Sequence, residues 1–454
     1  MKKIGVLALG LAIGLGLMSC YLGVFKSGSI SMDFSGLSGR AIQNGYVARV
    51  YLLADGLLFS TGGGTPFAAE VEVDQYLGAK VKIDGLPAGP VYKALVGFGP
   101  VTDGVFSPEY YGESPRFQIT PGGDTATSVS MQYPPFSIIR YSTDLMSRNI
   151  KAVGNNFGNM IAAEDTRLYY TYFDGSNFSP IGVNEQYDLA ADSLRANGLS
   201  TGDVGSWNTW LNTNNGIFPF TTDGWGFQTD FNSTLSGPRD ILQSGTALVG
   251  GYYALFFRRT SGLGGSYIVG TNRNSPTLWT WVSVDVPGLT DMAMGGSNAF
   301  FAASGAGFAL PPAFLTDPVM AKHRKNFSAP APIQALGVRS GAPSMVYMGT
   351  TDGVWFASMD ETNYEFAVDT PLDRILETAG EPIEKIAVST WTSSSDNQAY
   401  LSRYWLFIKT GGSVYKIPFY AVFPGKPTGI AWDSSHNLYI SGTEGLAAVS
   451  VGGS

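Results

Sequence analysis

Cysteine is almost missing from this chain, with Cys20 alone among 454 residues. An exported protein with that count has no internal disulfide, no thiolate metal cluster and no cysteine nucleophile in its folded part. Histidine is nearly as scarce: His323 and His436 are the two, which excludes sites built on several imidazoles. Charged residues make up only 14% of the chain, and 28 basic against 36 acidic residues give a net charge of −8. Nucleic acid, which calls for a basic patch, is therefore not an expected partner. Long apolar runs are lacking too, except for residues 4–18, and a helix needs ~20 such residues to span a bilayer. The Gly-x-Ser-x-Gly elbow, the His-Glu-x-x-His helix and the Walker loop are absent. Acidic residues such as Asp352, Asp360 and Asp369, or Asp188 and Asp192, lack calcium-loop spacing. No catalytic residue, metal ligand or cofactor is assigned, and enzyme activity is not the primary expectation. A carboxylate pair assembled from distant segments stays open as the rival reading, a glycan hydrolase or lyase.

What is present begins at the N-terminus. Lys2 and Lys3 precede the apolar run 4–18, and Ser19 and Cys20 follow it. A positive start, an apolar stretch and a small residue make an export signal rather than a span. Leu17-Met18-Ser19-Cys20 resembles the lipobox of bacterial lipoprotein precursors. That resemblance implies removal of residues 1–19, a diacylglyceryl group on the Cys20 thiol, and acylation of the new amino group with a palmitate-type chain. Residues 20–28 then form a lipidated tether, and the protein sits in the cell envelope on a membrane. Tyr21 is not the Asp that retains some lipoproteins at the inner membrane, so the outer membrane is preferred.

From Ile30 onward apolar residues alternate: Ile30, Met32 and Phe34, then 47–53, Val71 and Val73, Val81 and Ile83, 91–98, Phe117 and Ile119, Val129 and Met131. Period two in short runs bounded by Gly, Pro and Asp marks strands, and seven of them fit a β-sandwich over 29–133. Gly85-Leu86-Pro87-Ala88-Gly89-Pro90-Val91-Tyr92 resembles the turn of prealbumin-like and carboxypeptidase-regulatory-like sandwiches. The resemblance implies an inward-packed Tyr92, with Pro90 a departure from the pattern.

Tyr133-Pro134-Pro135-Phe136 is the predicted boundary, because consecutive prolines cannot sit inside a sheet. All nine tryptophans lie beyond it. There an apolar strand repeatedly meets a Thr/Gly turn and returns, as at 347–355, 405–415 and 439–447. Tyr253, Phe301, Tyr347, Trp405 and Tyr439 mark copies spaced by 48, 46, 58 and 34 residues, against ~40–50 for four-stranded propeller blades. The short interval suits a last blade completed by a strand from elsewhere. Pro427-Thr428-Gly429-Ile430-Ala431-Trp432-Asp433, continuing through His436 to Tyr439, resembles an NHL-type repeat, with His436 in place of the turn glycine. The expectation is an all-β chain: an N-terminal β-sandwich, then a six- to eight-bladed β-propeller over 136–454.

The candidate binding surface is Trp207, Trp210 and Trp225, in a wide loop rich in asparagine. Aromatic faces beside amides are what a sugar-binding surface uses, and blade packing uses tryptophan as well. Lys322-His323-Arg324-Lys325 is a basic loop, solvated or set against anionic lipid. The functional expectation is a membrane-anchored binding or scaffolding module with a protein or glycan partner in the envelope.

Overall fold

Alternation in the first hundred residues becomes pairing. The computed structural model describes residues 27–451 apart from 36, 38–45, 61–67, 73–79, 103, 134–138, 142–143, 157–158, 173–181, 202–208, 221–239, 250–251, 260–265, 273–279, 286–287, 296–297, 304–305, 311–324, 340–343, 361–364, 367–371, 390–396, 424 and 434–435. Cys20, the signal and most of the predicted tether lie outside the described residues. Two compact units divide between Pro134 and Pro135.

In the first unit ten strands share one hydrogen-bonded sheet. Its path runs Leu57–Leu58, Tyr46–Ala54, Val91–Thr102, Tyr110–Glu113, Asp124–Gln132, Ser27–Ser35, Lys80–Pro87. Ser27–Ser35 lies parallel to Asp124–Gln132, with Met32 opposite Thr127. The first strand thus starts at Ser27, so the last two residues of the predicted tether are already sheet. Ile30, Met32 and Phe34 are buried while Asp33 and Ser35 are exposed, and they join a core with Val50, Leu52, Val81, Tyr92, Phe98 and Val129. Each large apolar side chain so buried contributes about 1.5–3 kcal/mol. The strand Tyr110–Glu113 escaped the sequence reading because its first three residues are all buried and do not alternate. The Gly-Leu-Pro-Ala-Gly turn delivers Tyr92 inward, fully buried, where its Oη donates to the Pro87 carbonyl at 2.9 Å. Burial, with Asp55 adding to it, pushes the Tyr92 phenol up to about 12.

The second unit holds seven sheets of three to five strands among the described residues. Their inner strands are Ala152–Asn156, Ala196–Thr201, Ile241–Val249, Leu289–Gly295, Ile333–Arg339, Ile383–Val388 and Pro427–Trp432. Each inner strand packs on the next, and the last packs on the first, so the ring closes. That radial arrangement is a β-propeller. The last sheet runs Ile139–Tyr141, Gly445–Ser450, Asn437–Gly442, Pro427–Trp432, with Ile139 opposite Val449. A strand from the start of the unit therefore completes the sheet made by its end, which is what the short final interval required.

Turn chemistry explains the repeated Thr/Gly hairpins. Thr350 Oγ1 donates to the Gly353 carbonyl at 2.9 Å and accepts from the Asp352 N–H at 3.1 Å. Thr213 repeats this with Gly216 and Asn215 at 2.8 and 3.1 Å. Such hydroxyl-to-backbone bonds close a turn locally. Gly353 has φ +108°, and a Cβ there would stand 2.7 Å from the Thr378 carbonyl oxygen, so glycine is required. In the last sheet Asp433 is buried and accepts from both the backbone N–H and Nδ2 of Asn437 at 2.8 Å. His436, replacing the turn glycine, takes φ +64°.

Candidate functional site

The seven inner strands begin with one local pattern. Ile150-Lys151-Ala152-Val153-Gly154 in the first sheet corresponds to five residues starting at Ala196, Ile241, Leu289, Ile333, Ile383 and Pro427. These starts lie 44 to 50 residues apart, a more regular period than the hairpins gave. The first position is buried in every copy. The fifth is always Gly, Ser or Ala, and in two copies the next sheet's fourth residue packs against it. A Cβ on Gly337 would come within 2.3 Å of Ile386 Cγ2, and one on Gly154 within 3.1 Å of Leu199 Cβ.

The second position is a bulge in six of the seven copies, as the ladder slips between Ala196 and Gly198, Ile241 and Gln243, Leu289 and Asp291, and likewise at the last three. Bulges re-aim side chains at sheet ends. Here three of them reach the neighbouring sheet. Asn197 Nδ2 donates to the Ile241 carbonyl at 2.9 Å, Thr290 Oγ1 to the Ile333 carbonyl at 3.1 Å, and Thr428 Oγ1 to the Ile150 carbonyl. The last of these joins the seventh sheet to the first. The first two satisfy carbonyls at bulged strand starts, and the third satisfies the carbonyl just before the one unbulged strand.

Inside this ring is a cavity of about 670 Å³, and residues of all seven inner strands line it. Lys151, Thr290, Gln334, Glu384 and Lys385 are exposed at its mouth. Deeper in the wall a polar chain crosses three sheets. Arg258 Nε donates to Gln243 Oε1, Gln243 Nε2 donates to Asp291 Oδ1, and the Leu336 N–H donates to Asp291 Oδ2 at 2.6 Å. The Met292 N–H is a further donor to this carboxylate. Burial pushes the Asp291 carboxyl above the usual carboxylate range, although the charge of Arg258 and the hydrogen bonds act the other way. Burial likewise lowers Arg258, against the pull of Asp291. A carboxylate so saturated ties sheets together and has little capacity left for proton transfer.

The expected tryptophan surface needs correction. Trp210 is fully buried, in the strand Thr209–Thr213, every residue of which is buried. It is the middle strand of its sheet, covered on both faces by neighbouring sheets of the ring, so it cannot be the exposed aromatic that was expected. Its asparagine and threonines, which suggested a loop, are satisfied internally. Asn212 Nδ2 donates to Ser200 Oγ at 2.8 Å, and Ser244 Oγ donates to Asn212 Oδ1 at 2.6 Å. Residues 209–213 and 216–220 are strands, not a wide loop. Trp207, Trp225 and His323 lie outside the described residues. Sequence reasoning missed Gln243, Arg258 and Asp291. Asp291 occupies the third position of its five-residue copy, and aligning the seven copies would have drawn attention to it.

Among the described residues no group of three or more His, Cys, Asp or Glu is placed to hold a metal, and no helix is long and apolar enough to cross a membrane. No protein-family model matches the chain, and no curated protein does. Solved structures similar to it include a streptogramin B lyase, at 12% identity over 68% of this chain and 96% of that one, TM-score 0.48. The Cps50 (Swd1) β-propeller domain of Myceliophteria thermophila is similar at 11% identity over 69% of this chain and 100% of that one, TM-score 0.49. YCF48 bound to a D1 peptide is similar at 13% identity, 71% and 97% coverage, TM-score 0.47. Likeness at this level transfers no functional residue, and the propeller assignment rests on the closed ring of sheets.

Proposed function

We propose that this chain is a lipid-anchored envelope protein whose second unit is a seven-bladed propeller acting as a binding or scaffolding module. The observation that carries the reading is the convergence of seven sheets on one cavity with a polar, exposed mouth. Propellers offer such a rigid rim to partners. In this reading the first unit is a prealbumin-like β-sandwich made by one ten-stranded sheet folded over a shared core, and Cys20 with its acyl chains is the anchor. Two or more chains hold where one binds only reversibly. Its partner is a protein or glycan of the envelope, with the outer membrane preferred. The hydrolase or lyase alternative draws no support from Asp291, whose carboxyl is taken up by N–H donors.

A photo-crosslinking residue placed at Gln334 or Lys385 should capture a partner in intact envelopes, while one at the exposed Glu377 should not. Capture at Glu377 alone would move the binding surface away from the channel. Separately, Cys20→Ala should abolish lipid labelling and release the protein from membranes. An equally labelled variant would end the anchor reading.

A further inference from the structure

We propose that the channel cavity holds a small carboxylate-bearing ligand, gripped by the guanidinium of Arg258. This rests on the channel being the binding site and goes further by naming the ligand's chemistry. Gln243 fixes the geometry. Its Oε1 faces a guanidinium that can only donate, and its Nε2 faces Asp291 Oδ1. Turning the amide over would set its NH2 against that guanidinium, donor against donor, so one orientation is enforced. The Arg258 plane is thereby held through Nε. Among the described residues no acceptor bonds its Nη1 or Nη2, and Arg258 lines the cavity.

Asp291 does not serve as the missing acceptor. Gln243 stands between it and Arg258, so Asp291 acts on the guanidinium through its charge and not through a hydrogen bond to Nη1 or Nη2. Burial of the guanidinium has removed part of its hydration, and a desolvated cation calls for a matched anion. The paired N–H groups of an arginine fork fit a carboxylate bidentately. Wall charge does not oppose an anion. Lys151 is paired with Asp165, and Arg258 and Lys385 balance Asp291 and Glu384 along the wall, in a chain whose net charge is −8. The cavity's volume of about 670 Å³ falls within the range of about 300–1,000 Å³ typical of small-molecule sites.

Such a carboxylate can belong to a sugar acid or to the end of a peptide. Titration calorimetry of the mature protein separates the sources: D-glucuronate against D-glucuronamide, and N-acetylglycine against N-acetylglycinamide. At least one acid should bind tenfold or more tightly than its amide, and the pair that shows the preference identifies the source. Arg258→Gln should remove that preference. Arg258→Lys, which keeps the charge and loses the fork, should weaken acid binding severalfold. Equal binding of acid and amide, or no binding of either acid at millimolar concentration, would overturn the proposal. Should Arg258→Gln fail to fold, the acid and amide comparison on the unmodified protein still decides it. A protein that crosslinks a partner at Gln334 but shows no acid preference keeps the binding-module reading and loses this one.

Discussion

Replacing Asp291 by alanine removes the acceptor for three donors at once: Gln243 Nε2 and the backbone N–H groups of Leu336 and Met292. A buried donor left without a partner costs about 1–3 kcal/mol. Water can enter an open channel and recover part of that, so the expected loss is about 3–4 kcal/mol. Tryptophan fluorescence is the natural assay, because all nine tryptophans lie in the second unit and urea unfolding followed by it reports on that unit alone. Asp291→Asn adds a test of sign. Burial raises the folded carboxyl above its ordinary range, so this group's stabilising contribution is full below the unfolded value of about 3.9. It is lost as pH rises through the folded value. The amide does not titrate, and its deficit relative to the unmodified protein should therefore shrink from pH 4 to pH 7. A loss below about 1 kcal/mol for Asp291→Ala, with an unchanged urea slope, would refute the view that this carboxylate clamps three sheets.

Two further outcomes are expected. Trp210→Ala should destabilise the second unit by about 3–5 kcal/mol, the usual cost of truncating a buried tryptophan; a nearly unchanged urea midpoint would return Trp210 to the surface. Tyr92→Phe should cost about 1 kcal/mol at neutral pH through loss of the bond to Pro87. Because the folded phenol is pushed up to about 12, the unmodified first unit should lose stability as pH rises from about 10 through 12. The Phe variant, followed by far-ultraviolet circular dichroism, should show less of that loss, and equal alkaline sensitivity would contradict the assignment.

Local chemistry was legible in the sequence wherever one segment determined it. Period-two runs such as Ile30 to Phe34 specified strands, because alternation is a property of the strand itself. The Thr-x-x-Gly hairpins did the same, since their hydroxyl bonds lie within four residues. The spacing of copies and the short final interval foretold a sheet completed from elsewhere in the chain, and Ile139–Tyr141 completes it. Burial was another matter. The strand containing Trp210 carries asparagine and threonine and reads as polar, yet ring closure covers both of its faces and pairs its amide with Ser200 and Ser244. Only the tertiary structure could bring Gln243, Arg258, Asp291 and the Leu336 N–H together, because they come from three different sheets: the repeat marks Gln243 and Asp291 as equivalent positions, and ring closure decides that they touch. Sequence determines the period of a strand; what stands across from its side chains is decided by the closure of the ring.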